Sequence, residues 1–169
     1  MGRYRPPAPR SSPYITGPGA KSLRQELQDL WRQKRPEVTK ALAAAAAEGD
    51  RSENAEYIYR KKQLAEIDRR IRYLSKRLDQ IKVVDRPPEE TGRVYFGAWV
   101  SVEQSNGQNR RYRIVGADET SAELDWISVD SPMARALLGK RSGQSVKIVL
   151  PDGKIRLKIV AIEYESESG

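Results

Sequence analysis

The 169-residue chain contains no cysteine and no histidine. Without cysteine it has neither disulfides nor thiolate metal sites. Without histidine it lacks the commonest general base and the commonest transition-metal ligand. A metal held by these side chains is held through oxygen, which favours Mg²⁺, Mn²⁺ or Ca²⁺. No apolar run approaches the ~20 residues of a membrane-spanning helix. Arg3, Arg5 and Arg10 are followed by no apolar segment of the kind a secretory signal needs. The sequence therefore reads as cytoplasmic, with no membrane partner.

What is abundant is charge, and its location is informative. The net charge is +8, and residues 1–89 hold 20 Lys and Arg against 12 Asp and Glu, which is the whole excess. Residues 90–169 hold 11 of each sign. This polarity points to a polyanionic partner for the N-terminal half alone, although an Arg-rich solvated helix surface would give the same count.

Residues 1–19 are rich in Pro, Gly and Ser, and residues 1–13 are expected to be a disordered extension. From about Pro18 to Ala47 the pattern is helical: Leu23, Leu27 and Leu30, then Val38, Ala41 and Ala45, form one stripe, with Pro36 expected to kink or break it. Ala43–Ala47 is a strong helix former and Gly49 ends the helix. A second helix is expected from about Ser52 to Val83. Its Leu64, Ile67, Ile71, Leu74, Leu78 and Ile81 alternate spacings of three and four, a coiled-coil seam. A short turn between two long helices makes them antiparallel. Such a pair has no globular core and must project from something. The hairpin is assigned to 14–86 with its tip at 48–57, and 87–92 is read as a linker.

After Arg86-Pro87-Pro88 the apolar period changes to two. Short strands are expected at 93–96, 99–103, 112–115, 125–129, 146–150 and 156–162, with turns at Asn106-Gly107 and Pro151-Asp152-Gly153. One short helix, Pro132–Leu138, has Ser131 at its N-cap and Pro132 at its first position. The fold class is α+β, with an antiparallel sheet domain over 93–169.

The chemistry concentrates in EGDRSENAEY, Glu48–Tyr57, where four acids fall within nine positions of a basic region. Asp50 and Glu53 are three apart, on one side of a helical turn. Two hard oxygens make an incomplete Mg²⁺ site, because the ion takes about six ligands. The same spacing fits a capping box, with Asp50 as N-cap and Glu53 reaching back. Beyond the acids come Tyr57 and Tyr59, then Arg60, Lys61, Lys62, Arg69 and Arg70. Cations could hold phosphates and rings could stack on bases; ordinary helix solvation with Glu66 and Asp68 as partners, and tyrosine packing in the seam, would look the same.

GDRSENAEY preceded by RPEVTKAL, together with VYFGAWV, YRIVGADE and ISVDSPMARALLGKRSGQSV, resembles the Gre family of bacterial transcript cleavage factors. The matching blocks run in order from about Tyr14 to Tyr164. LWRQKRPEVTK and the Tyr- and Arg-rich second helix resemble the GreB type rather than the GreA type. The segment before Tyr14 has no counterpart in the family pattern, and the alanine run is blander than usual.

The resemblance implies a coiled-coil hairpin followed by an FKBP-like domain, the latter docking on the rim of the secondary channel of RNA polymerase. It implies that the hairpin enters the channel and that its tip stimulates the polymerase to hydrolyse the 3′ end of backtracked nascent RNA. Carried over by position, Asp50 and Glu53 would help hold the second catalytic Mg²⁺, which the free protein would not bind tightly. Ser52 and Asn54 would orient water or RNA. Tyr57, Arg60, Lys61, Lys62, Arg69 and Arg70 would hold the extruded RNA, and Asp130, Ser131, Pro132 and Met133 would meet the polymerase. The expected form is a monomeric accessory factor and not an enzyme in its own right. Three other readings remain: a channel-binding regulator that does not stimulate cleavage, a peptidyl-prolyl isomerase, and a general coiled-coil RNA binder. The two tip acids argue against the first and last, and the few aromatics, Phe96, Trp99 and Trp126, argue against the isomerase.

Overall fold

A computed structural model of the chain describes residues 10–49 and 54–165. These fall into two compact units, one of residues 20–81 and one of residues 10–19 with 82–165.

The helical unit is a hairpin. Helix α1 (Gly17–Asp29) passes into a π-helical turn, Leu30–Lys34, and then into α2 (Arg35–Ala47). Pro36 explains the turn. It has no N–H to donate to the carbonyl four residues back, and the ladder slips to a longer closure in which the Arg35 N–H donates to the Leu30 carbonyl. The expected kink is thus absorbed without ending the helical path. Helix α3 (Ala55–Gln80) returns antiparallel. Of its apolar seam only Ile67 and Leu74 are buried, as are Ala20 and Leu23 of α1 and Val38 and Ala45 of α2, while Leu64, Ile71, Leu78 and Ile81 are half-buried. Two helices bury one line of contact between them. Ion pairs flank that line: Arg35 Nε to Asp68 at 2.8 Å, and Arg70 in a two-pronged pair with Glu26 at 2.7 and 3.0 Å.

The second helix stops earlier than its periodicity suggested. Ile81 takes an extended conformation, and Lys82–Val84 forms strand β2, paired in parallel with β1 (Tyr14–Thr16). The Lys82 N–H also donates to the Pro13 carbonyl at 2.8 Å. Residues 10–19 thereby join the globular unit, which moves the expected boundary at residue 14. Residues 10–13, assigned to a disordered extension, include Ser12, whose N–H and hydroxyl both donate to Asp130. Residues 1–9 lie outside the described residues.

The rest of the globular unit is a five-stranded sheet in the order β5-β4-β3-β7-β6. Its strands are β3 (Trp99–Gln104), β4 (Asn109–Val115), β5 (Trp126–Ser128), β6 (Ser145–Leu150) and β7 (Gly153–Glu163). All neighbours are antiparallel except β4 and β5, so the sheet is mixed rather than wholly antiparallel. Alternation in β3 and β4 puts Val100, Val102, Tyr112 and Ile114 on one face, where they pack with Val146, Ile148, Leu157 and Ile159. Helix α4 (Pro132–Leu137) covers this face with Ala134 and Leu137. Residues 93–96 are not a strand. Arg93 makes an isolated bridge to Arg141, and Val94 exchanges backbone bonds of 2.9 and 2.7 Å with Lys140 and Gly139. The linker is tied down by Glu90, which pairs with Arg93 at 3.0 Å and Arg141 at 3.1 Å.

Glu119 fastens β1 and the start of α1 to the sheet. Its carboxylate accepts from the Gly116 N–H at 2.8 Å, the Thr16 N–H at 3.1 Å and the Thr16 hydroxyl. The Thr16 oxygen in turn accepts from the Gly19 N–H at 3.1 Å, capping the helix. Glycine is required at 116 by the packing, since a Cβ there would overlap the Tyr14 carbonyl oxygen.

Candidate functional site

Helix α2 ends at Ala47, and Gly49 has φ +143°, a conformation that favours glycine. Asp50, Ser52 and Glu53 lie outside the described residues. Asn54 is described, and it corrects the expected start of the second helix. Its backbone is extended, its side-chain oxygen accepts from the Tyr57 N–H at 3.0 Å, and α3 begins at the next residue. The cap of α3 is therefore Asn54 and not Asp50, and the position a capping box would give to a Glu is held by Tyr57. The Asn54 amide nitrogen donates to the Ala45 carbonyl at 2.7 Å, so Asn54 joins the last turn of α2 to the first turn of α3. Its backbone role is structural.

Along the shaft the expected RNA-binding residues separate into two groups. Arg60 pairs with Glu56 at 2.8 Å, bonds Gln63 at 3.0 Å and lies 5.3 Å from the Tyr59 ring. Arg70 is engaged by Glu26 and lies 5.3 Å from the Tyr73 ring. Tyr57 is half-buried at the head of α3. Lys61, Lys62 and Arg69 are exposed and have no ion pair among the described residues. The alternative in which Asp68 solvates these cations does not hold, since Asp68 pairs with Arg35. The structure adds a residue that the second helix alone could not reveal. Lys34, in the π-helical turn, shares an open groove of about 550 Å³ with Tyr59, Lys62, Gln63 and Arg70, with Glu26 and Glu66 on its wall. The exposed Tyr59 ring sits among these cations. Among the described residues, no three His, Cys, Asp or Glu side chains are grouped as a metal site.

The loop after β5 is the third element. The Asp130 N–H donates to Ser128 Oγ at 3.1 Å, and the Ser131 N–H donates to the Ser128 carbonyl at 2.9 Å. Ser131 Oγ accepts from the Ala134 N–H at 3.2 Å, capping α4, and Pro132 occupies the first turn. Both were legible in the sequence. Pro132 is exposed, whereas Met133 packs against the core, so its contribution to an outer surface is small. Both Asp130 oxygens accept from Ser12, 118 residues away. No signal in the sequence marked Ser12.

On the sheet, the Arg113 guanidinium lies 5.6 Å from the Trp99 ring and 5.2 Å from the Trp126 ring, and Arg111 lies 4.3 Å from Trp99. The tryptophans that a proline pocket would need are stacked with arginine.

Two family descriptions match in tandem: "Transcription elongation factor, N-terminal" over residues 13–83 and "Transcription elongation factor, GreA/GreB, C-term" over residues 89–164. The chain belongs to the GreA/GreB family of transcription elongation factors. Three relatives, each named transcription elongation factor GreB, illustrate how close the match is. That of Xanthomonas axonopodis pv. citri is 58% identical, with 98% of this chain and 99% of the relative covered. That of Pseudomonas aeruginosa is 54% identical, with 97% and 98% covered. That of Haemophilus influenzae is 53% identical, with 91% and 98% covered. The coverage in the Xanthomonas relative extends into the segment before Tyr14, whereas the N-terminal family description begins only at residue 13, as the family pattern led one to expect. The helical hairpin and the curled sheet are the two parts of a Gre factor, and the GreB resemblance read from the sequence holds.

Proposed function

We propose that this Gre factor binds bacterial RNA polymerase at the rim of its secondary channel and stimulates endonucleolytic cleavage of the nascent RNA 3′ end in backtracked complexes. The observation that carries the reading is the hairpin end. A pair of helices only two chains thick, locked at its last turn by Asn54, carries Asp50 and Glu53 in the connection between α2 and α3. These carboxylates are not needed to start α3, since Asn54 does that.

The donor set fits a Mg²⁺ held mainly from elsewhere. Two carboxylates supply hard oxygen ligands, and the chain has no His or Cys to attract softer metals. Mg²⁺ supplies Lewis-acid and water-activating chemistry for phosphodiester hydrolysis when bound. The role of Asp50 and Glu53 is to complete a ligand shell whose other members belong to the polymerase. The protein is then an accessory factor that lends two ligands and has no active site of its own. Ser52 would orient water or RNA, and Asn54 acts chiefly through the backbone it holds.

Extruded RNA is held along the shaft by Lys61, Lys62 and Arg69, with Lys34 and Tyr59 added from the groove. Arg60 and Arg70 contribute less, because each is already paired with a glutamate. Docking is the task of Asp130, Ser131 and Pro132. It is a surface of one carboxylate and a rigid turn, suited to a cationic side chain.

The test is a cleavage assay on a backtracked elongation complex, comparing wild type with the Asp50→Asn, Glu53→Gln double variant across a Mg²⁺ titration. Stimulation by wild type, lost in the variant and partly recovered at high Mg²⁺, is expected. Polymerase binding by both without cleavage by either would make the protein a channel-occupying regulator and overturn the metal role.

A further inference from the structure

We infer that Ser12 is a positioning residue for polymerase docking: its N–H and hydroxyl hold the Asp130 carboxylate in the orientation that meets the partner. The inference rests on the reading of Asp130 as a docking residue.

Asp130 sits in a short loop between β5 and α4, half-buried. Its backbone is fixed by Ser128 and by the cap at Ser131. A carboxylate on a fixed backbone still turns about two side-chain bonds, and this freedom is lost on binding. Ser12 removes it beforehand. The Ser12 N–H donates to Oδ2 at 2.8 Å and the Ser12 hydroxyl donates to Oδ1. One residue thus grips both oxygens, which sets the plane of the carboxylate as well as its position. Hydrogen bonds to an ionised acceptor are the strong kind.

The grip does not close the site. An ionised carboxylate has about four acceptor positions, and Ser12 takes one on each oxygen, leaving roughly one on each for a partner's guanidinium or ammonium group. Ordering the acceptor before the encounter spares part of the side-chain entropy that binding otherwise costs.

Ser12 is itself held. The neighbouring Pro13 carbonyl accepts from the Lys82 N–H at 2.8 Å, and β1 follows two residues later, paired with β2. The segment before the hairpin therefore anchors Asp130 through the same backbone that anchors the parallel strand pair. This gives the part of the sequence before Tyr14 a task in recognition.

The experiment measures polymerase binding and the factor concentration for half-maximal cleavage, using the full chain carrying Ser12→Ala, Ser12→Thr, Asp130→Asn, or Ser12→Ala with Asp130→Asn. Ser12→Ala is expected to raise both the Kd and the half-saturating concentration roughly three- to tenfold, with the saturated cleavage rate kept. Ser12→Thr, which keeps the hydroxyl, should restore wild-type values. In the double variant the Ser12→Ala effect should disappear, because its target no longer carries the charge. Thermal melting reports whether a loss is merely of folding. If Asp130→Asn weakens binding and Ser12→Ala does not, the inference fails and the docking reading stands. Should Ser12→Ala tighten binding, Ser12 sequesters the carboxylate and the inference is reversed. Additive losses in the double variant would mean that Ser12 acts on something else. No effect from Asp130→Asn removes the docking reading and the inference with it.

Discussion

The Asn54 side chain bonds the Ala45 carbonyl at 2.7 Å while its oxygen caps α3 at the Tyr57 N–H. One amide therefore serves a carbonyl of the outgoing helix, which also accepts from the Glu48 N–H at 3.3 Å, and an amide of the returning one that the helix start otherwise leaves without an intrahelical partner. The two functions separate by substitution. Asn54→Asp keeps the acceptor and loses the donor; Asn54→Ala loses both. Asn54→Ala is expected to destabilise the hairpin end by about 1–2 kcal/mol, with faster hydrogen exchange at the Tyr57 amide. Asn54→Asp should leave that amide protected while still loosening the end of α2. Equal protection of the Tyr57 amide in all three proteins would show that the cap contributes little.

The charges on the shaft are predicted to differ in kind. Lys61→Glu with Lys62→Glu should harm cleavage of long extruded RNA more than short, and should flatten the salt dependence of RNA contact. Arg70→Glu should act chiefly through the fold, by setting like charges against Glu26 and lowering the melting temperature slightly. An equal effect of the lysine pair on long and short RNA would mean that they do not hold the extruded strand.

Gly116→Ala places a methyl group against the Tyr14 carbonyl and close to the Glu119 carboxylate. A destabilisation of about 1–3 kcal/mol is expected, as for overpacking elsewhere. At Gly92 a methyl group would meet nothing within 4 Å, so Gly92→Ala should stay within about 0.5 kcal/mol of wild type. Denaturant titration of the two variants separates a packing requirement from a general intolerance of alanine.

Two tyrosines give the globular unit an alkaline limit. Burial, the largest cause in each case, raises Tyr112 and Tyr164 above the ordinary tyrosine value, with Arg110 partly opposing it at Tyr112 and the Tyr95 backbone bond partly opposing it at Tyr164. The unfolded chain therefore releases these protons first. Their contribution to stability is complete below about pH 10 and falls as pH rises through the higher folded values. The unfolding midpoint should be flat from neutrality to about pH 9 with respect to these groups and drop beyond about pH 10, with the tyrosinate absorbance of Tyr112 and Tyr164, over and above that of exposed residues such as Tyr59 and Tyr73, appearing only as the fold is lost. Ionisation of all eight tyrosines at the ordinary value in an intact fold would contradict this.

Much of the architecture could be read from local patterns. The apolar stripe with Ile67 and Leu74 at its centre, the glycine after α2, the Ser131 cap with its following proline, and the period change after Pro88 all depend on neighbours in sequence. What escaped depended on distant partners or on competition between equivalent signals. The heptad spacing continues through Leu78 and Ile81, so nothing local stops α3 at Gln80; the β-branched Val83 and Val84 become a strand because Tyr14–Thr16 is there to pair with them. Residues 93–96 have the alternation of a strand, yet their backbone partners come from a loop at 139–141. At the tip, Asp50 was read as the cap, and the helix is capped instead by Asn54, four residues later. Lys34 joins the groove through the fold of the hairpin, and Ser12 reaches Asp130 through a contact no spacing rule encodes.

The parallel pairing of β1 with β2 has a consequence for how Gre proteins can vary. The chain leaves the sheet-bearing unit after one of these strands and re-enters it on the other, so the hairpin is an excursion whose two stems are hydrogen-bonded neighbours. Residues can be added to or removed from both helices in matched seven-residue steps without altering the stems. Reach is thus a parameter separable from attachment, and a longer, shorter or differently tipped probe can be grafted onto the same base.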